Sequence, residues 1–176
     1  MKMKSIILIF SIALMTISCG STTYLDQASL SSAIEKREFN YNATKAFPLD
    51  NNSVNNILNS FPGAGGAGRL MNLDPGYGFN LKTDLFSVHL PYFGRAVNLS
   101  PADVNNGGIR FESKDFTIKQ SQTKKGNTLL VITPKDQRVN YVFNLEVFKN
   151  GSAFLSVNSN DRQPISYDGN VSVGGN

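Results

Sequence analysis

The sequence predicts a mainly-β or α+β domain: one N-terminal helix followed by an antiparallel β-meander, drawn out as a curved sheet or closed into a small barrel. Three observations predict it. Apolar residues alternate with polar ones in short runs through the second half of the chain. The runs recur roughly every ten residues, the spacing of an all-β domain, with turn sequences between them. Only the stretch from about 26 to 38 carries a convincing helical stripe downstream of the N-terminal leader.

The leader comes first. Lys2 and Lys4 precede an apolar run from Ile6 to Ile17, which ends at Thr16-Ile17-Ser18-Cys19-Gly20. That run is 12 residues long. A membrane-spanning helix needs about 20 residues. A secretory h-region needs about 7 to 15, behind positive charge and ahead of small residues. The run therefore reads as a signal peptide. Cys19 is the only cysteine in the chain and closes a loose lipobox. The lipidation chemistry requires a thiol, so this spacing predicts cleavage before Cys19 and acylation of it. Each buried acyl CH₂ contributes about 0.8 kcal/mol to membrane partition, so two or three chains hold a protein firmly.

The sequence thus divides into a signal peptide over 1–18, a lipidated tether over 19–27 and one β-rich domain over 28–176. The 158 residues from Cys19 onward suffice for one domain with a real core. With a single cysteine already committed, that core has no internal disulfide. The formal charge of +4 includes Lys2 and Lys4, so the mature chain carries about +2. So small a charge is no footprint for nucleic acid.

Within the domain, Leu30, Ala33 and Ile34 share one face of the predicted helix. From Phe39 the period switches to two, through Tyr41 and Ala43. Residues 50–60 are Asn-rich, and 61–68 are a Gly-rich break. Leu70, Leu73, Tyr77 and Phe79 predict a weak strand or two around Pro75-Gly76. Leu85 to Leu90 is a strand ended by Pro91. Ile109, Phe111 and Ser113 begin another, which Phe116, Ile118 and Gln120 continue. Lys124-Lys125-Gly126-Asn127 makes a hairpin turn into strands over 129–133 and 141–148. Lys149-Asn150-Gly151 predicts a tight turn in which Asn and Gly supply positive φ. Strands over 153–157 and 165–167 complete the meander.

Motifs with catalytic or cofactor overtones dissolve on inspection. Gly63 to Gly68 spells G-x-G-x-x-G, but Phe61-Pro62 precede it and no helical pattern follows, so no helix N-terminus is there to hold a pyrophosphate. His89 is the sole histidine and has no second His or free Cys to complete a metal site. No serine sits in a G-x-S-x-G elbow. Asp50-Asn51-Asn52-Ser53 lacks the glycine and final glutamate of a calcium loop. The sequence therefore predicts no catalytic residues, no metal and no cofactor.

Four pieces of the C-terminal half carry a resemblance. They are Leu90-Pro91-Tyr92-Phe93-Gly94-Arg95-Ala96, Gly107-Gly108-Ile109-Arg110-Phe111, Asn150-Gly151-Ser152-Ala153 leading to Val157-Asn158-Ser159, and Arg162-Gln163-Pro164-Ile165-Ser166-Tyr167-Asp168-Gly169. In order and spacing the stretch from about 28 to 171 resembles a family of Bacteroidetes lipoproteins catalogued as domain of unknown function 4251. The resemblance implies a lipoprotein with one domain, and implies no activity. Gly20-Ser21-Thr22-Thr23-Tyr24 lacks the acidic cluster of surface-exported lipoproteins in such bacteria, so the expected address is the periplasmic face of the outer membrane.

Two of these pieces set an arginine near aromatic residues: Tyr92 with Arg95, and Arg162 with Tyr167. A guanidinium beside an aromatic wall suits carboxylate or sugar-like ligands. The same arginines could instead pin loops by bonding backbone carbonyls. The expected function is a non-enzymatic binding or assembly module, held to the membrane by its N-terminal lipid and meeting an envelope protein or a small molecule. The alternatives are a lipocalin-like carrier of an apolar ligand, which requires a hollow barrel, and a periplasmic hydrolase built on His89.

Overall fold

Helix α1, Gln27–Lys36, begins where the sequence supplies a cap. Asp26 is extended, and its carboxylate accepts hydrogen bonds from the N–H groups of Ala28 and Ser29. Arg37 ends the helix in the left-handed conformation, its N–H donating to the carbonyls of Ala33 and Ile34. The buried face is the predicted one, Leu30, Ala33 and Ile34. In this computed structural model the described residues are 24–48, 72–93 and 108–174. Cys19, Arg95, the Asn-rich stretch and the Gly-rich stretch lie outside them.

Nine strands follow among the described residues: β1 (Phe39–Pro48), β2 (Gly78–Leu81), β3 (Phe86–Pro91), β4 (Gly108–Ser113), β5 (Phe116–Gln122), β6 (Thr128–Pro134), β7 (Val142–Val147), β8 (Ser152–Asn158) and β9 (Ile165–Ser172). The weak strand signal near Pro75 resolves into β2 and an isolated bridge between Lys45 and Asn72. The last strand runs five residues beyond the predicted Tyr167. Its extension includes Gly169, where a Cβ would stand 2.1 Å from the Asn42 carbonyl oxygen and 2.8 Å from the Tyr41 ring. Glycine in this strand is a packing requirement that alternation cannot express.

The sheet order is β4-β3-β2-β1-β9-β8-β7-β6-β5, antiparallel throughout. Every sequential pair is a neighbour except β4 and β5, and β1 closes onto β9. Nine strictly alternating strands would set β1 and β9 parallel, yet they are antiparallel. The chain direction therefore does not reverse between β4 and β5. They are two halves of one bent strand, the first paired with β3 and the second with β6. The result is an almost closed up-and-down barrel, equivalent to eight strands with one of them shared across the seam. The single strand that the sequence predicts over 109–120 keeps its direction and breaks at Lys114-Asp115.

Asp136 makes that bend. Its carboxylate accepts from Ser113 Oγ at 2.6 Å and from the N–H groups of Lys114 and Asp115 at 2.9 and 3.3 Å. Hydrogen bonds from Ser113, first in weight, and from Lys114 hold the Asp136 carboxyl well below the usual carboxylate range, against a small opposing effect of burial. An ionised carboxylate replaces the strand partners these two residues lose.

The two predicted turns share one geometry. Gly126 and Gly151 are left-handed, with φ of 78° and 81°, and their N–H groups donate to the carbonyls of Thr123 and Phe148. Each is a tight turn closed by one left-handed glycine. Asn150 does not take positive φ as expected; Arg37 is the only non-glycine among the described residues that does. The Asn150 side chain instead accepts from the N–H and Oγ of Ser152.

Alternate residues of the strands point inward and meet in one core. Phe86 of β3 is fully buried, and its ring lies 5.1 Å from Phe143 of β7, 5.2 Å from Phe79 of β2 and 5.9 Å from Phe116 of β5. Strands on opposite sides of the barrel thus touch through aromatic rings. Such edge-to-face pairs contribute about 0.5–1.5 kcal/mol each beyond the area they bury. α1 closes one end: Tyr24 N–H bonds Asn150 O at the β7–β8 turn, and the helix exits into β1, where Phe39 pairs with Leu81. Tyr24 and Leu25, at the end of the expected tether, lie against this turn.

Candidate functional site

β3 ends at Pro91, which has no N–H to continue the ladder but keeps a carbonyl. Tyr92 and Phe93 follow, and the described chain resumes at Gly108 of β4, paired with Pro91. Beside this rim runs the β8–β9 connection, residues 159–164. Three of the four predicted residues, Tyr92, Arg162 and Tyr167, meet here. The fourth, Arg95, and the predicted lipidation site, Cys19, lie outside the described residues.

Arg162 is the hub. Its Nε lies 3.1 and 3.0 Å from the two carboxylate oxygens of Asp161, and Nη2 donates to Oδ2 at 2.7 Å. Nη1 donates to the Gly108 carbonyl at 3.2 Å. The guanidinium carbon lies 5.0 Å from the centre of the Tyr92 ring and 6.0 Å from that of Tyr141. Both members of the ion pair are about nine-tenths buried, at 9% and 10% side-chain exposure. Ser159 Oγ donates to the remaining face of Asp161 at 2.7 Å.

The tyrosines complete the clamp. Tyr92 Oη donates to the Gln163 carbonyl at 3.1 Å, and Tyr167 Oη donates to the Pro91 carbonyl at 2.5 Å. Tyr41 Oη donates to the Tyr167 carbonyl at 3.0 Å, tying β1 to the same assembly. Tyr141 stacks on Phe111 with centroids 5.2 Å apart, which joins the cluster to the core.

The electrostatics follow from this packing. Burial pushes the Asp161 carboxyl up, but the bonds from Arg162 and Ser159 outweigh it and hold it below the carboxylate range. Burial lowers the Arg162 pKa, and Asp161 more than restores it. Burial, first in weight, raises the phenol pKa of Tyr92, Tyr167 and Tyr41. All three hydroxyls therefore remain neutral donors at neutral pH.

Arg162 and Tyr167 thus bond this chain's own groups, Asp161 and the Gly108 and Pro91 carbonyls. What the cluster does is fix both ends of the 94–107 segment: Arg162 and the strand pair hold Gly108, while Tyr167 and Gln163 hold Pro91 and Tyr92. Phe93 is left exposed on the rim. The sequence reading missed Asp161, Tyr141 and Gln163. Asp161 could have been found from its adjacency to Arg162, since an acid next to an arginine beside a strand start is a ready partner. Tyr141 contributes through register alone, which the sequence does not print.

His89 stands on the outer face, exposed, with its ring 5.1 Å from that of Tyr77. Its strand partners are Gly78 and Arg110. Among the described residues no group of three or more His, Cys, Asp or Glu stands together, and no helix is long and apolar enough to cross a membrane.

A family model described as "Domain of unknown function (DUF4251)" matches residues 23–171. A crystal structure of a DUF4251 family protein from Bacteroides eggerthii is similar in fold, at 15% sequence identity, with 83% of this chain and 88% of that chain covered and a TM-score of 0.50. No curated protein matches the chain.

Proposed function

Since the chain belongs to the DUF4251 family, which brings a fold and no activity, we propose from its sequence and geometry that it is a cell-envelope lipoprotein: a non-enzymatic β-barrel module, anchored through Cys19, that presents a rigid rim for binding or assembly. The observation that carries the reading is the clamp of Asp161, Arg162, Tyr92 and Tyr167. It commits its charges to one another and its donors to backbone carbonyls, and so does the work of a scaffold. A ligand or partner that meets this rim therefore meets it on a fixed mount. The lipobox and the short basic leader support the anchor.

The carrier alternative depends on what occupies the barrel interior. A barrel of this strand number has an interior that side chains fill or that holds one small ligand. Here Phe79, Phe86, Phe111, Phe116 and Phe143 stand in contact across it, which favours a packed core over a carrier.

The test is native mass spectrometry of the full chain extracted from envelope membranes, with crosslinking in whole cells beside it. The expected mass begins at an acylated Cys19. A small molecule retained by the wild type and lost from Arg162→Ala locates a ligand at the rim. A clean apo mass with a specific crosslinked protein assigns an assembly role. A soluble chain without acyl groups overturns the reading.

A further inference from the structure

The two glycine-closed turns lie side by side at the end of the barrel where the N-terminus docks. A Cβ at Gly126 would stand 3.9 Å from Lys149 Nζ, so Lys149 reaches over the Thr123–Asn127 hairpin that carries Lys124 and Lys125. All three lysines are exposed. Tyr24 N–H bonds Asn150 O, and Gly151 lies against Tyr24 and Leu25: a Cβ there would stand 3.0 Å from Leu25 N. Of the acidic groups at this end, Asp26 caps α1 and Glu146 is engaged by Asn127 Nδ2, while Glu35, Glu38 and Asp84 are exposed on α1, just after it and in the β2–β3 turn.

From Tyr24 back to Cys19 is five residues. Fully extended, that chain reaches at most about 18 Å. A lipid on Cys19 therefore holds this end of the barrel, and no other, within one short tether of the headgroups. Resting on the envelope-anchor reading above, we infer that the surface formed by Lys124, Lys125 and Lys149 docks on anionic phospholipid headgroups. This orients the barrel. The Arg162 rim sits at the far end of β8, about 20 Å away by strand rise, and so faces the aqueous compartment. A lysine near an anionic surface gains enough to shift a docked-to-free ratio about fivefold, and three act together on the order of a hundredfold.

The experiment uses the full chain, lipidated in its own host and reconstituted into vesicles of phosphatidylcholine with or without phosphatidylglycerol. A fluorophore is placed at Ser121→Cys, beside the hairpin, or at Arg138→Cys, in the β6–β7 connection at the opposite end of β6. Quenching by nitroxide-bearing lipids is read for each. The expected result is severalfold stronger quenching at position 121 than at 138, dependent on phosphatidylglycerol, weakened by salt and lost in the combined Lys124→Gln, Lys125→Gln, Lys149→Gln variant. Equal quenching at both positions in an acylated protein, or quenching unchanged by the three substitutions, overturns the docking surface alone. An N-terminal mass without acyl groups overturns the anchor, and the docking surface with it.

Discussion

Tyr167 Oη donates to the Pro91 carbonyl at 2.5 Å, linking β9 to the end of β3 although two strands lie between them in the sheet. The bond therefore spans the barrel rather than following its ladder. Pro91 has no N–H but keeps its carbonyl, and the Tyr167 hydroxyl reaches that carbonyl from a ring buried in the core.

Removing only the hydroxyl tests that link. Tyr167→Phe leaves the ring in the core and the Pro91 carbonyl without its donor. The expected cost is about 1–2 kcal/mol, read as a lower urea midpoint at unchanged m-value. A variant as stable as the wild type would show that water replaces the phenol at no cost.

The bend between β4 and β5 depends on the charge of Asp136. Its carboxyl titrates below the ordinary value of 3.8, so it stabilises the fold above that pH and loses the effect as pH falls toward its depressed folded value. Asp136→Asn is expected to be less stable than the wild type at neutral pH, with the two stability curves converging below about pH 4. Chemical denaturation across pH reads this directly. A gap that persists undiminished into acid would place the effect in packing.

At the rim, Arg162→Ala leaves the Asp161 charge without its guanidinium, with Ser159 as its remaining side-chain donor, and leaves the Gly108 carbonyl without its side-chain donor. The expected loss is about 2–3 kcal/mol, in keeping with hydrogen bonds to charged groups. Asp161→Ala together with Arg162→Ala is expected to cost less than the sum of the singles. A double-mutant cycle gives the coupling. Strict additivity would mean that the pair contributes nothing as a pair.

Gly169→Ala sets a Cβ 2.1 Å from the Asn42 carbonyl oxygen, and Gly78→Ala sets one 1.8 Å from that of Tyr41. The obstacles are backbone atoms of β1, which cannot rotate away. Each change is expected to cost at least about 2 kcal/mol, seen as a lower thermal midpoint. A neutral result at either position would show that β1 shifts freely.

Local patterning alone determined the class of this fold, because the relevant physics acts over a few residues. Period-two burial set the strands, the Leu30-Ala33-Ile34 stripe set the helix, and Gly126 and Gly151 set two turns. The motifs around Tyr92, Arg162 and Tyr167 even marked side chains that come together. What only the tertiary structure decided was partnership between residues far apart in the chain. Closure of β1 on β9 and the shared strand at the seam depend on sheet curvature and strand parity. The bend at Lys114-Asp115 depends on Asp136, more than twenty residues away. Whether Arg162 opens toward a ligand or locks onto Asp161 and the Gly108 carbonyl is settled by register and burial, and neither quantity exists until the barrel has closed.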